Sequence, residues 1–543
     1  MRIFFRPWLA YAGLAVIIMG PLLAPGYILT LDMAWLPHLA WPSVVDNSYV
    51  PQAALHILNL VLPSWVIQKL VLLAIFFLAG LGVHRLAQLG FEAEARGWGR
   101  VAPYVAGILY TVNPFTYERL MAGQWLVLVG YALLPWFVVS LWSFRKNPSR
   151  RTSLIVAAWA TAVGVFSVHM VFFIAIIAVV SVLVAAVGPK QARLRRKWLS
   201  FGALAFGVTL LASSYWIIPM ALGTSHQAQE IATFTSSDTS LYSTDGGMLG
   251  LPTNVFALSG FWGDSLSLYE LPWDMESWWI VPAIVLMVLA AWGFVVSVRA
   301  RDRVGISLGI VALIAGVLAM GDAWAPTAWL WHGLVRFVPW FAGYREPQKF
   351  VALVALGEVY LVARAIGWGA EKLKKAPLAA ALVPLVLALP FALTPSMLWG
   401  FHGQLVSANY PADWYALDSR LSHVATPPKS LFLPWHGYMR LDFAQREVAN
   451  PASRFFATEV VAGDSIDRRS ERLSPASQLV LDKIIPAGTQ GRDVSGLLRD
   501  AGFTYVVLAK TADFKDYAWI DRQPGLKLVS DTESLKVYEV SHD

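Results

Sequence analysis

Long apolar runs constrain this chain more than any other feature. A helix needs ~20 apolar residues to cross the hydrocarbon core of a bilayer, and about eleven segments approach that length. They lie near 8–24, 66–88, 101–113, 125–143, 152–168, 170–187, 198–222, 278–298, 304–320, 350–368 and 376–398. Composition agrees with this reading. Charged residues make up 14% of the 543 residues and the mean hydropathy is +0.54, whereas soluble domains carry about 25% charge. So few charges cannot cover a soluble fold of this size. A cytosolic enzyme, a disordered regulator and a fibrous protein are excluded, and the predicted fold class is a polytopic α-helical membrane protein. Cysteine is absent, which removes disulfides, thiolate metal sites and a cysteine nucleophile.

The connections between the runs alternate in charge. Arg2 and Arg6, Arg96 and Arg100, Arg145 with Arg150, Lys190 with Arg196, Arg299 with Arg303, and Lys372 with Lys374 and Lys375 mark every second connection as basic. Basic loops stay cytoplasmic. The expected topology is therefore N-terminus inside and, with an odd span count, C-terminus outside. The first run reads as a retained anchor, because no small-residue cleavage site follows it. The remaining loops, 25–64, 223–276 and 321–349, are long and relatively acidic, with Asp238 and Glu276 among their acids. Loops elaborated on one side place the working face there.

Composition shifts near residue 400, dividing the chain into a membrane part, 1–400, and a small α/β domain, 401–543. "SLFLPW" (430–435), "TYVVLAK" (504–510) and "LKVYEV" (535–540) read as strands, and 411–423 and 493–502 as helices. Asp493 is placed to cap the second helix and Gly502 to end it. The aromatic residues Trp414, Tyr415, Trp435, Tyr438, Phe455 and Phe456 fit a core better than a sugar platform. No phosphate loop, dinucleotide fingerprint, HExxH or GxSxG occurs in the chain. The basic loops lack aromatic interleaving, so no nucleic-acid partner is expected.

Several residues carry chemistry. Asp32, in "GYILTLDMAWLPH" (26–38), is either a general base for a hydroxyl or, with Thr30, the cap of a short interfacial helix. Asp46 is a second carboxylate or a turn residue. Arg119 follows the Asn-Pro pair of "VNPFTYERLMAGQW" (112–125), placed to grip a lipid phosphate or to pair with Glu118 or a neighbouring loop. Arg345 and Lys349 of "GYREPQKF" (343–350) suit a phosphate or interfacial snorkelling. Glu358 lies inside the tenth run and is the candidate coupling site if the protein is a transporter or flippase of a lipid-linked or polar solute. A non-enzymatic envelope assembly protein is the third reading. His169, near a tight turn, is read as structural.

The stretches "VNPFTYERLMAGQW", "GYALLPW" (130–136) and "GYREPQKF", with an inside N-terminus, a long first external loop with an acid soon after the first run and a domain after the last run, resemble the GT-C class of multi-pass membrane glycosyltransferases, the group that includes cell-wall arabinofuranosyltransferases. The resemblance implies transfer of a hexosyl or pentosyl group from a polyprenyl-phosphate-linked sugar to an envelope glycan or lipid acceptor. It also implies an extracytoplasmic active face on a multi-pass plasma-membrane protein. The family's catalytic carboxylate falls on Asp32, with Asp46 as the alternative, and donor-phosphate contacts fall on Arg119, Arg345 and Lys349. The acid next after Asp32 is 14 residues away, whereas many members carry a closer acidic pair. No nucleotide is needed, no cofactor is assigned, and a divalent metal is left open.

Overall fold

The computed structural model describes residues 6–91, 97–186, 192–234, 240–275, 277–372, 377–463 and 474–541. Arg2, Arg96, Lys190, Asp238, Glu276, Lys374 and Lys375 lie outside the described residues. Two compact units emerge. One comprises Met1–Gly20, Trp41–Ile57 and Leu70–His402; the other comprises Pro21–Ala40, Leu58–Lys69 and Gly403–Asp543.

The first unit is helical. Its elements are α1 (Pro7–Met19), α2 (Tyr49–Asn59), α3 (Ser64–Phe91), α4 (Ala102–Thr111), α5 (Pro114–Met121), α6 (Trp125–Lys146), α7 (Arg150–Phe166), α8 (Val168–Ala186), α9 (Ala192–Ala221) and α10 (His226–Ala232). They continue with α11 (Ile280–Arg299), α12 (Arg303–Met320), α13 (Ala325–Phe337), α14 (Val351–Lys372) and α15 (Pro377–Leu393). The C-terminal end of α2 and the start of α3 belong to the second unit.

All eleven expected runs are helical, but fewer have the length to span. Among the described residues seven segments are long and apolar enough to cross a bilayer, those of α3, α6, α8, α9, α11, α12 and α14, or eight if the bent pair Leu382–Leu393 and Pro395–His402 counts as one span. The shortfall has a physical cause at each place. Helix α4 has 10 residues, or about 15 Å of rise. Helix α7 has 17 residues, and α1 is part of a shorter apolar helix, Pro7–Leu23. Helix α15 carries Pro384 and Pro390 in its interior.

Helix α14 is the axis of this unit: 94% of its apolar window is buried, packed against α11, α12 and α4. Two glycines permit the approach. A Cβ on Gly293 would stand 1.9 Å from the Leu361 carbonyl oxygen, and one on Gly357 would stand 2.6 Å from that of Leu308. Small residues at such crossings let backbones meet where no hydrophobic drive between helices exists.

The second unit is built on a five-stranded sheet of β3 (Lys429–Leu433), β6 (Glu459–Val461), β7 (Tyr505–Ala509), β8 (Leu526–Asp531) and β9 (Leu535–Val540), in the order β6-β3-β7-β9-β8. Strands β6, β3 and β7 run parallel, and β9 is antiparallel to both β7 and β8. Leu433, Val480, Ile484, Leu498 and Val506 pack its core. Helix α16 (Ala412–Ser422) carries Trp414, 1% exposed, which stacks on Phe456 at 5.6 Å. The aromatic residues singled out in the sequence are therefore largely core, with Tyr415 at the surface. Before α17 (Ser495–Asp500), the Asp493 carboxylate accepts from the Ser495 N–H at 2.9 Å, and Gly502 follows its end at φ +76°.

Candidate active site

In the first unit the site grows from a helix break. Asn113 ends α4 and caps α5: its side chain accepts from the Thr116 N–H at 3.0 Å and donates to the carbonyls of Leu109 and Tyr110 at 2.9 Å each. Pro114 cannot continue the preceding helix and fits the first turn of the next. This turn buries Glu118 and Arg119 completely.

Arg119 donates to Glu346 at 2.7 Å, to Gln124 at 2.6 Å and to Gln348, and its guanidinium lies 4.5 Å from the Phe261 ring. Lys349 pairs with the other oxygen of Glu346 at 2.9 Å and stands 3.3 Å from His169 Nε2. His169 Nε2 is 3.2 Å from the Gly343 carbonyl, and the Tyr344 hydroxyl donates to the His169 carbonyl at 2.9 Å. Two of the expected phosphate-binding cations thus converge on one acid that sequence reasoning passed over. Burial alone would raise the Glu346 carboxyl. Lys349 and Arg119 together override this and hold it well below the ordinary range.

Glu118 and Asp264 form an acidic pair next to Arg119. Glu118 accepts from the Ser259 hydroxyl and from Gln348 Nε2, the latter at 2.9 Å. Asp264 accepts from the Tyr269 hydroxyl at 2.8 Å, while its Oδ2 is buried with no hydrogen-bond partner among the described residues. Burial pushes the Asp264 carboxyl up to about 8. Burial and then the Asp264 charge raise Glu118 as well.

Arg345 differs from its neighbours. It is half-buried, its guanidinium sits 4.5 Å from the Phe234 ring and 4.7 Å from the Tyr242 ring, and it has no carboxylate partner among the described residues. It lines a cavity of 430 Å³ whose walls come from α8, α9, α10 and the turn after α13. Phe172, Trp216, Ile217, Ile231 and Phe341 make these walls largely apolar, and His169, Arg345 and Lys349 line them together with the acids Glu230 and Glu346. Loop 25–64 supports the cavity's frame: Asn47, 4% exposed, donates to the Val165 carbonyl at 3.3 Å and accepts from Gln227, a cavity residue, at 2.9 Å. Asp46 beside it accepts from the Ser48 N–H at 2.8 Å and hydroxyl at 2.7 Å, next to the start of α2.

Asp32 belongs to the second unit and is exposed. No helix opens at Thr30 or Asp32. Thr30 and Met33 instead close a tight turn through reciprocal backbone hydrogen bonds of 3.3 and 2.7 Å. The Tyr438 hydroxyl donates to Asp32 Oδ1. Glu358 is buried within α14, its Oε2 without a hydrogen-bond partner among the described residues. Among the described residues no three His, Asp or Glu side chains gather as metal ligands.

The whole backbone can be compared with solved structures. The cryo-EM structure of the arabinofuranosyltransferase AftD from Mycobacteria superposes with a TM-score of 0.67 at 18% identity, covering 99% of this chain and 40% of AftD. The fold is GT-C-like. A single-substitution variant of AftD gives 0.64 at the same identity, covering 99% of this chain and 42% of that one. The chain therefore spans about two fifths of the length of these relatives. The oligosaccharyltransferase of Archaeoglobus fulgidus, with a TM-score of 0.46 and 13% identity, is too distant to add to the comparison. No family model matches the sequence, and no curated protein is detectably similar to it in sequence.

Sequence reasoning named Arg119, Arg345 and Lys349 but missed Glu346, Gln348, Phe234 and Tyr242. Glu346 and Gln348 stand within the quoted "GYREPQKF", where an acid two residues from one glutamine and three from a lysine was the available signal. Nothing local marks Phe234 or Tyr242.

Proposed function

We propose that this chain is a membrane glycosyltransferase that moves a sugar from a polyprenyl-phosphate donor to an acceptor hydroxyl at the extracytoplasmic face of the plasma membrane. One observation carries the reading beyond the fold: Arg345, braced by two aromatic rings and lacking an acidic partner among the described residues, faces an apolar cavity. A polyprenyl phosphate needs that combination of an apolar wall and a planar cation able to grip phosphate with two hydrogen bonds. Arg119 and Lys349 hold Glu346 and add positive potential, so Arg345 takes the direct phosphate contact.

In this reading Asp32 removes the acceptor's hydroxyl proton, with Asp46 as the alternative base. The acceptor oxygen bonds to the anomeric carbon as the bond from that carbon to the phosphate oxygen breaks. Its electron pair leaves on the phosphate, where a positioned cation stabilises the developing charge. The sugar in the name of AftD makes a pentose the first donor to test.

The test is a transfer assay in nanodiscs with synthetic polyprenyl-phosphoryl pentose and hexose donors and an alkyl glycoside acceptor. Asp32→Asn is expected to lose ~10²–10⁴-fold in turnover while still binding donor. Arg345→Ala is expected to weaken donor binding by ~10–100-fold, the scale of a hydrogen bond to a charged group, with Arg345→Lys rescuing only part. No transfer by the unmodified chain from any donor overturns the proposal.

A further inference from the structure

The second unit holds the turn that carries Asp32 as part of its own sheet structure. Upstream, β1 (Tyr27–Ile28) pairs with β2 (Ser407–Ala408), and the Gln68 amide satisfies both the N–H and the carbonyl of Ile28, at 2.9 and 2.6 Å. Downstream, the Tyr410 hydroxyl donates to the Trp35 carbonyl at 3.1 Å. Between these anchors, Leu31 lies along the outer edge of a hairpin formed by β4 (Tyr438–Leu441) and β5 (Arg446–Ala449). The Leu31 N–H donates to the Glu447 carbonyl at 2.9 Å, and the Ala449 N–H donates to the Leu31 carbonyl at 2.8 Å. Ala449 is also the residue that faces Tyr438 across the hairpin. The strand that fixes Leu31 on one edge therefore fixes Tyr438 on the other, and the Tyr438 hydroxyl reaches the Asp32 carboxylate between them.

Tyr438 is itself braced. The loop before it leaves the carboxyl end of β3, where neighbouring parallel strands make a crevice. There His436 Nε2 meets Asp513 Oδ2 at 2.5 Å, just after β7. Asn450 holds the same loop from the hairpin side, donating from its backbone to the Gly437 carbonyl at 2.8 Å and from its side chain to the His436 carbonyl at 3.1 Å. Gly463, just past β6, packs so closely on the His436 backbone that a Cβ would stand 2.6 Å from it. Three strand ends thus converge on the loop that presents Tyr438. Most surface tyrosines need no such support, and an exposed carboxylate left to itself samples many rotamers.

We infer that Tyr438 is the positioning residue for Asp32, and that the β4–β5 hairpin is part of the catalytic apparatus. The inference rests on the reading of Asp32 as the base. A phenol donating to one carboxylate oxygen fixes the plane of the carboxylate relative to the acceptor. The cost is some basicity, since a donor favours the charged form. The benefit is orientation, on which proton abstraction depends steeply.

The test uses the full chain in nanodiscs, with Tyr438→Phe, Asp32→Asn and the double variant in the transfer assay described above. Tyr438→Phe is expected to lower kcat by about 10–100-fold, the scale of a hydrogen bond to a charged group, with donor KM and thermal inactivation unchanged. In the Asp32→Asn background it should add nothing, because it acts through that carboxylate. Full kcat in Tyr438→Phe, beside an inactive Asp32→Asn, overturns this inference and leaves the proposed function standing. An additive loss in the double variant also overturns it. Full activity in Asp32→Asn removes the base assignment itself, a separate failure. Hydrogen exchange on the unmodified chain gives a readout independent of activity: peptides covering 27–35 should be as protected as those covering 446–449. Rapid exchange of the Leu31 and Ala449 amides overturns the inference whatever the variants do.

Discussion

Two short segments, 343–350 in the first unit and 26–33 in the second, position charged side chains by opposite means. In the first, Glu346 and Lys349 are buried and their charges are held in one network with Arg119: Glu346 receives Arg119 at 2.7 Å and Lys349 at 2.9 Å. In the second, Asp32 is exposed, and the contacts that hold it include backbone pairing of Leu31 to the hairpin and the Tyr438 phenol. A buried ion-pair network fixes a field but resists change, because removing one member strands the others in a low-dielectric site. A carboxylate on a braced surface turn keeps access to water and to protons. The first suits a standing electrostatic environment, and the second suits a group that must titrate during a reaction.

The comparison breaks most sharply at Arg119. Arg119→Ala takes from Glu346 one of its two cations, leaving Lys349, and should cost about 3–5 kcal/mol of stability, the usual penalty for breaking a buried pair. Asp32→Asn should change stability by no more than about 0.5 kcal/mol, as surface substitutions do. Unfolding of both variants in mixed micelles measures the difference, and equal losses would abolish the contrast.

A smaller effect concerns pH. The Asp264 carboxyl is raised in the folded chain, chiefly by burial. The folded state therefore keeps a proton that the unfolded chain releases near pH 4. Its contribution to stability is full below that pH and is lost as pH rises through about 8. Thermal inactivation should therefore quicken between pH 5 and pH 8, and Asp264→Asn should flatten that dependence. A variant with the same slope as the parent would show that another group sets it.

The smallest effect is expected at Glu358. A transferase working through Arg345 and Asp32 should retain turnover within about twofold in Glu358→Gln, which keeps shape and hydrogen bonding. Complete loss in a stably inserted Glu358→Gln protein would favour a transport reading, in which an intramembrane acid couples solute to protons.

Much of the architecture was legible in the chain because it is local. Apolar runs, the Asn113–Pro114 break, and the strands at 430–435, 504–510 and 535–540 each follow from residues adjacent in sequence. Span count was less legible, since α4 and α7 have only 10 and 17 residues, and helix length depends on where breaks such as Asn113 and Ser167 fall. Pairing is not local at all. Arg119 and Glu346 are 227 residues apart, and Asp32 and Tyr438 are 406 apart. The sequence by itself determined that Arg119, Arg345, Lys349 and Asp32 would be costly to leave unused. Only the tertiary structure decided which of them is neutralised by an acid, which is braced by rings against a cavity, and which is held by a phenol. That outcome depends on contacts between segments that no spacing rule connects.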